Sequence, residues 1–178
     1  LCNHLIITIR DINNKLICFG GRVREEGDPK SLNSPETTIK KKNRNLYGMH
    51  VAKRNRKPYF LICEGYMDVI SLHQAGFTNA VASLGTAFTV QHGLLLKRYT
   101  KEVVLTFDSD GAGIKAALRA IPILKEAGLS ARVLTMKPYK DPDEFIKNMG
   151  AEAYQKRIDE AIPSFMFEIQ VLRDGYDF

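Results

Sequence analysis

Tyr59-Phe60-Leu61-Ile62-Cys63-Glu64 is the stretch on which the fold turns. Five successive apolar residues leave no polar face, so the run suits a strand buried on both sides, as in a parallel sheet covered by helices. An acid then closes it.

The same signal recurs downstream. Ala80-Val81-Ala82-Ser83-Leu84, Glu102-Val103-Val104-Leu105-Thr106-Phe107 and Ala131-Arg132-Val133-Leu134-Thr135-Met136 read as three further strands. Helical patterns separate them. One covers 67–75, with Val69, Ile70 and Leu72 apolar and Gly76 as its stop, and a second covers 89–99 with Leu94, Leu95 and Leu96. The third carries Ile114, Ala117, Leu118 and Ile121 at i, i+3, i+4, i+7; Pro122 is expected to kink or shorten it, and Gly128 to end it. The order β-α-β-α-β-α-β predicts an α/β fold, a mostly parallel sheet flanked by helices. In the tail, Tyr154, Ile158, Ala161, Phe165, Ile169 and Leu172 keep helical spacing, with Pro163 in the first turn of a second segment. A packing pair of helices is expected there.

Upstream the pattern changes. Leu5-Ile6-Ile7-Thr8-Ile9 and Lys15-Leu16-Ile17-Cys18-Phe19 flank Asp11-Ile12-Asn13-Asn14, which predicts a β-hairpin that Gly20-Gly21 should break. Residues 24–45 are polar, proline-containing and without period, too long for an idle loop. Three regions follow: 1–57, β-rich and basic; 58–149, the α/β domain; 150–178, helical.

Composition removes several classes. No apolar run approaches the ~20 residues of a membrane helix, and no signal-peptide pattern opens the chain, so a cytoplasmic location is the default. Cys2, Cys18 and Cys63 contain no CxxC, which argues against a zinc ribbon or a disulfide framework. The net charge of +6 is uneven: residues 1–60 hold 13 Lys/Arg against 5 Asp/Glu, and residues 61–178 hold 13 against 15. Between residues 37 and 63 there are eight Lys/Arg and no acid, including Lys40, Lys41, Lys42, Arg44, Lys53, Arg54, Arg56 and Lys57. Such a strip is either a solvated face or a surface for phosphate.

The acids fall where an open α/β sheet binds its ligands, beyond the carboxyl ends of the strands. Glu64 follows the first strand, Asp108 and Asp110 the third, and Asp141 and Asp143 the fourth. Two carboxylates about 4 Å apart repel by ~4 kcal/mol at an effective dielectric of ~20. A cluster of them therefore calls for a cation, and oxygen ligands suit Mg²⁺ or Mn²⁺. Paired acids holding hard cations serve phosphoryl transfer. Each acid also has a structural reading, since Asp110 could cap the next helix and Asp141 could begin a turn before Pro142.

At Glu64-Gly65-Tyr66-Met67-Asp68 the chain resembles the Toprim domain of bacterial replicative primases of the DnaG type. The resemblance continues through Val81-Ala82-Ser83-Leu84-Gly85-Thr86-Ala87, Phe107-Asp108-Ser109-Asp110-Gly111-Ala112-Gly113 and Asp141-Pro142-Asp143. Upstream it includes Phe19-Gly20-Gly21-Arg22-Val23, the block from Pro29 to Thr37, and Leu46-Tyr47-Gly48. It implies a Toprim-type sheet with a partial N-terminal β-rich subdomain and a C-terminal helical segment. It further implies Glu64, Asp108 and Asp110 as catalytic, and the same three with Asp141 and Asp143 as metal ligands. Arg22, Lys30, Asn33, Lys42 and Asp68 match positions that meet nucleotide or template. The implied partners are single-stranded DNA, ribonucleoside triphosphates and, through a domain absent from this chain, a replicative helicase. One departure is visible: the family usually carries Gly between the paired acids, where this chain has Ser109. A Toprim nuclease or topoisomerase and a non-catalytic Toprim module that binds nucleic acid are the alternatives; the block at residues 19–37 separates primases from the first, and full retention of the acids argues against the second.

Overall fold

A computed structural model describes residues 4–23, 31–33 and 39–175. Its centre is a five-stranded sheet in the order β5-β4-β6-β7-β8. The strands are β4 (Tyr59–Cys63), β5 (Ala80–Ala82), β6 (Glu102–Leu105), β7 (Ser130–Val133) and β8 (Ile162–Pro163). The first four are parallel, and β8 closes the edge antiparallel to β7.

Both faces of the sheet are dry, which is why its strands read as unbroken apolar runs. Phe60 and Ile62 of β4 and Val103 and Leu105 of β6 point to one side. There they meet Leu96 of α4 (Val90–Lys97) and Ala117, Ala120, Ile121 and Leu124 of α5 (Gly111–Glu126). Leu61, Cys63 and Val104 point to the other, against Val69 and Leu72 of α3 (Tyr66–Gln74) and Phe145, Tyr154 and Ile158 of α6 (Pro142–Asp159). The buried Thr106 hydroxyl is paired with the Tyr154 hydroxyl, so neither polar group is left unsatisfied in that layer.

The chain enters the sheet at β4, steps to β5 on one side, then crosses back to β6 on the other. The direction of winding therefore reverses between β4 and β6. A crevice opens at such a point beyond the strand ends. The strands stop sooner than their apolar runs, at Ala82, Leu105 and Val133, although Thr106 N–H still reaches the Ile62 carbonyl at 2.9 Å.

The N-terminal sheet is β1 (His4–Arg10), β2 (Leu16–Val23) and β3 (Ser31–Asn33), antiparallel throughout. Asp11 builds the turn, its Oδ1 accepting from the backbone N–H groups of Asn13 and Lys15 at 2.9 Å. Gly20-Gly21 does not break the hairpin, contrary to the expectation, because β2 runs through both residues. A Cβ on Gly20 would sit 3.0 Å from the Tyr66 ring, so the glycine lets strand and ring approach. Two short helices, α1 (Ile39–Arg44) and α2 (Met49–Ala52), lead into the main sheet, and Tyr47 and Ala82 exchange backbone hydrogen bonds of 2.7 and 3.2 Å.

Two further expectations need correction. Pro122 does not shorten α5, which continues to Glu126. It lies on the exposed side, where water can serve the carbonyl that the ring leaves without a donor, while the buried stripe runs on to Leu124. The tail does not pack along its whole apolar stripe. Tyr154 and Ile158 are buried, but on α7 (Ser164–Arg173) Phe165 and Ile169 are each 60% exposed and Leu172 75%. That helix turns Val171 inward, so its outer stripe faces away from this sheet.

Candidate active site

Glu64 leaves the end of β4 and Asp108 lies just past β6, on either side of the switch in winding. The Glu64 Oε1 accepts the Asp108 backbone N–H at 2.8 Å, which joins the two strand ends directly. Glu64, Asp68, Asp108 and Asp141 line one cavity of ≈ 280 Å³. Ile7 and Gly21 of the N-terminal sheet supply part of its wall, as do Tyr66 and Gly85.

The flanking acids are held by helix starts. Asp110 caps α5, its Oδ1 accepting from Gly113 N–H at 2.8 Å, and its Oδ2 lies 3.8 Å from the Lys140 ammonium. Asp141 caps α6 through Glu144 N–H at 2.8 Å, while the Glu144 carboxylate accepts from Lys140 N–H at 2.7 Å. The cap reading of Asp110 is therefore correct, whereas Asp141 caps a helix that starts at Pro142 rather than beginning a turn; capping takes one oxygen of each carboxylate. Asp143 is paired with the Ser71 hydroxyl and with the Lys147 ammonium, the latter at 2.7 Å. Asp110 and Asp143 thus lie beside the cavity without lining it.

Electrostatics mark the cavity as anionic. Burial, then the Asp141 and Asp108 carboxylates, push Asp68 up to about 7. Burial, then Glu64, Asp141 and Asp110, push Asp108 up to about 6. Glu64 is also raised, chiefly by burial, against the opposing effect of the Asp108 N–H. A divalent cation would relieve this repulsion. The donors are hard oxygens throughout, so the chemistry fits Mg²⁺ or Mn²⁺. Among the described residues, no three His, Cys, Asp or Glu side chains are gathered into a ready metal cage. Outside the cavity, Asp110 and Asp143 are each turned toward partners of their own.

The remaining expected residues are scattered. Arg22 is on β2, its backbone opposite Leu5 and Ser31, and Asn33 is on β3 opposite Gly20. Lys30 lies outside the described residues. Lys42 is half-buried on α1, and its carbonyl accepts from His92 Nε2 at 2.8 Å. Because Thr89 N–H donates to His92 Nδ1 at 3.1 Å, that ring is the neutral Nε2–H tautomer and serves structure. Sequence reasoning missed Ser71 and Lys140. Ser71 carries no sequence signal, whereas a lysine inside Lys140-Asp141-Pro142-Asp143 could have been noticed.

Residues 61–146 match the Toprim-like family. That domain alone leaves the alternatives standing. Residues 1–53 match the N-terminal domain of the DNA primase catalytic core. The chain belongs to the DnaG-type DNA primases. It is 47% identical over 168 residues to the DNA primase of Clostridium acetobutylicum, covering 94% of this chain and 28% of that protein. The Escherichia coli primase catalytic core superposes with a TM-score of 0.86 at 39% identity, covering 98% of this chain and 57% of that one. A DnaG primase catalytic domain bound to single-stranded DNA gives 0.87 at 38% identity over the same shares, 98% and 57%. The chain therefore spans under a third of the curated relative it matches and a little over half of those solved cores.

Proposed function

We propose that this chain carries the metal-binding part of a primase catalytic core, which copies single-stranded DNA into short RNA primers by divalent-metal-dependent nucleotidyl transfer. The observation that carries the reading is the Glu64–Asp108 bond across the switch point, within a chain whose first 53 residues match a primase domain. Glu64, Asp108 and Asp141 would hold one or two Mg²⁺ or Mn²⁺, with Asp110 and Asp143 completing the set. When bound, the metal supplies Lewis-acid stabilisation of the attacked α-phosphate of a ribonucleoside triphosphate.

The protein's own contributions are positioning and charge. The Asp108 N–H favours the ionised form of Glu64, keeping that carboxylate available as a ligand and as a local base. Asp68 lies deepest in acid company and would hold a proton near neutrality until a cation replaces it. The basic segment, with Lys42, Arg44, Arg54 and Arg56, would contact triphosphate and template backbone. A related catalytic domain is bound to single-stranded DNA, which supports a DNA template as the partner.

The test uses the full-length protein with ribonucleoside triphosphates, single-stranded DNA and Mg²⁺. RNA synthesis is expected, falling at least about 10³-fold in Asp108→Ala and Glu64→Gln. RNA synthesis undiminished in both variants, or strand scission in place of synthesis, overturns the reading.

A further inference from the structure

The loop from Asp108 to Asp110 is fastened to the loop that carries Asp141, and Ser109 makes the fastening. Its hydroxyl donates to the Tyr139 carbonyl at 2.7 Å and lies 3.2 Å from the Lys140 carbonyl. Its backbone N–H donates to the Lys140 carbonyl at 2.8 Å. One residue thus binds two successive carbonyls immediately before Asp141, across 30 positions of sequence.

The loop it grips is itself anchored. Tyr139 N–H bonds the Met136 carbonyl at 2.9 Å, the Tyr139 ring packs edge-on against Phe145, and Asp141 and Glu144 close the start of α6. On the other side, Gly113 brings the first turn of α5 so near Asp108 that any Cβ there would be under 3.0 Å from its backbone. Ser109 therefore joins two stiff supports. Ser109 does not line the acidic cavity; it lines a separate groove with Asp110, Lys137, Tyr139 and Lys140.

We infer that Ser109 is a positioning residue whose hydroxyl sets the separation of Asp108 and Asp141, and so tunes the affinity of the acidic cavity for a divalent cation. The inference rests on the proposed metal-binding role of those acids. Carboxylates that repel each other drift apart unless their backbones are tied, and every such displacement must be reversed before an ion is shared. A glycine at this position would have no hydroxyl to make this bond. This chain then gathers its acids at lower metal concentration than it would with glycine.

Mn²⁺ binding to the intact protein is the measurement, by calorimetry or by loss of the free-ion paramagnetic signal, with no nucleotide present. Ser109→Ala keeps the N–H bond and loses the hydroxyl bond; about fivefold weaker binding is expected. Ser109→Gly also frees the backbone, and about tenfold is expected. Ser109→Thr retains the hydroxyl and should bind within about twofold of the parent. In ribonucleotide incorporation, the alanine variant should need about fivefold more metal for half-maximal rate, with an unchanged rate at saturation. Equal Mn²⁺ affinities in parent, alanine and glycine proteins overturn the Ser109 assignment while leaving the metal reading intact. A parent protein that binds no Mn²⁺ overturns both. A melting temperature equal in parent and alanine proteins without metal, together with the affinity loss, supports positioning over a general loss of fold.

Discussion

The acidic rim and the basic segment of this molecule handle charge in opposite ways. On the rim, carboxylates are pinned one by one: Glu64 by Asp108 N–H, Asp110 by Gly113 N–H, Asp141 by Glu144 N–H. In the basic segment Arg54, Arg56 and Lys57 are exposed, and among the described residues no ion pair joins them to an acid. Pinned charges cost repulsion and return geometry, which a metal ion with demanding coordination needs. Charges on long free side chains give little geometry but steer and hold a flexible polyanion. The two regions should therefore fail differently when disturbed.

The rim should be intolerant of small displacements. Gly113→Ala places a Cβ under 3.0 Å from Asp108 backbone atoms, which cannot yield without moving the loop. A shift of about 1 Å in a catalytic group costs on the order of 10²-fold. Loss of about 10²-fold in incorporation rate is expected, with a protein that still folds cooperatively in denaturant. An unaffected rate would mean that the position of Asp108 is not critical, and the contrast between the regions would fall.

The rim should also respond to pH where the basic segment does not. Asp68 and Asp108 have folded-state values raised to about 7 and about 6 above an ordinary carboxylate. The folded protein without metal thus holds these protons more tightly than the unfolded chain, and it loses stability as pH rises from about 4 through about 7. If metal binding displaces both protons, Mn²⁺ affinity should rise about 50-fold between pH 5 and 6, about tenfold between pH 6 and 7, and level off above about 7.5. Affinity flat from pH 5 to 8, measured by titration calorimetry, would show that these acids do not share the ion. The two trends have opposite signs, so one cannot be mistaken for the other.

Much of this was legible in the residues and part was not, for reasons of range. Burial on both faces forces apolar runs such as Phe60-Leu61-Ile62-Cys63, so the parallel strands and the acids at their ends could be read directly. The reason for glycine at position 20 of β2 is the close approach of the Tyr66 ring, more than 40 residues away. The pairings of Ser71 with Asp143 and of Ser109 with Tyr139 span 72 and 30 residues. No local pattern encodes such contacts. Pro122 misled because its rule concerns a helix in isolation, whereas α5 is held by its buried stripe. The outer residues of α7 misled for a related reason, because helical spacing predicts an apolar face without saying what lies against it.

The basic segment offers the mildest and most specific break. Exchanging Arg54, Arg56 and Lys57 together for glutamine removes three exposed charges without touching the cavity. If these side chains contact template phosphates, the slope of log affinity against log salt for single-stranded DNA should fall by about 2, near 0.7 for each lost contact. Affinity should drop severalfold at low salt and hardly at high salt, since the lost contribution is counterion release. Mn²⁺ affinity should stay the same within error, because none of the three lines the cavity and charges on exposed side chains are screened by salt. Filter binding across a salt series, with a metal titration on the same protein, measures both. An unchanged slope would make the segment a solvated face, whereas a changed slope accompanied by weaker Mn²⁺ binding would show that the two regions act as one electrostatic unit.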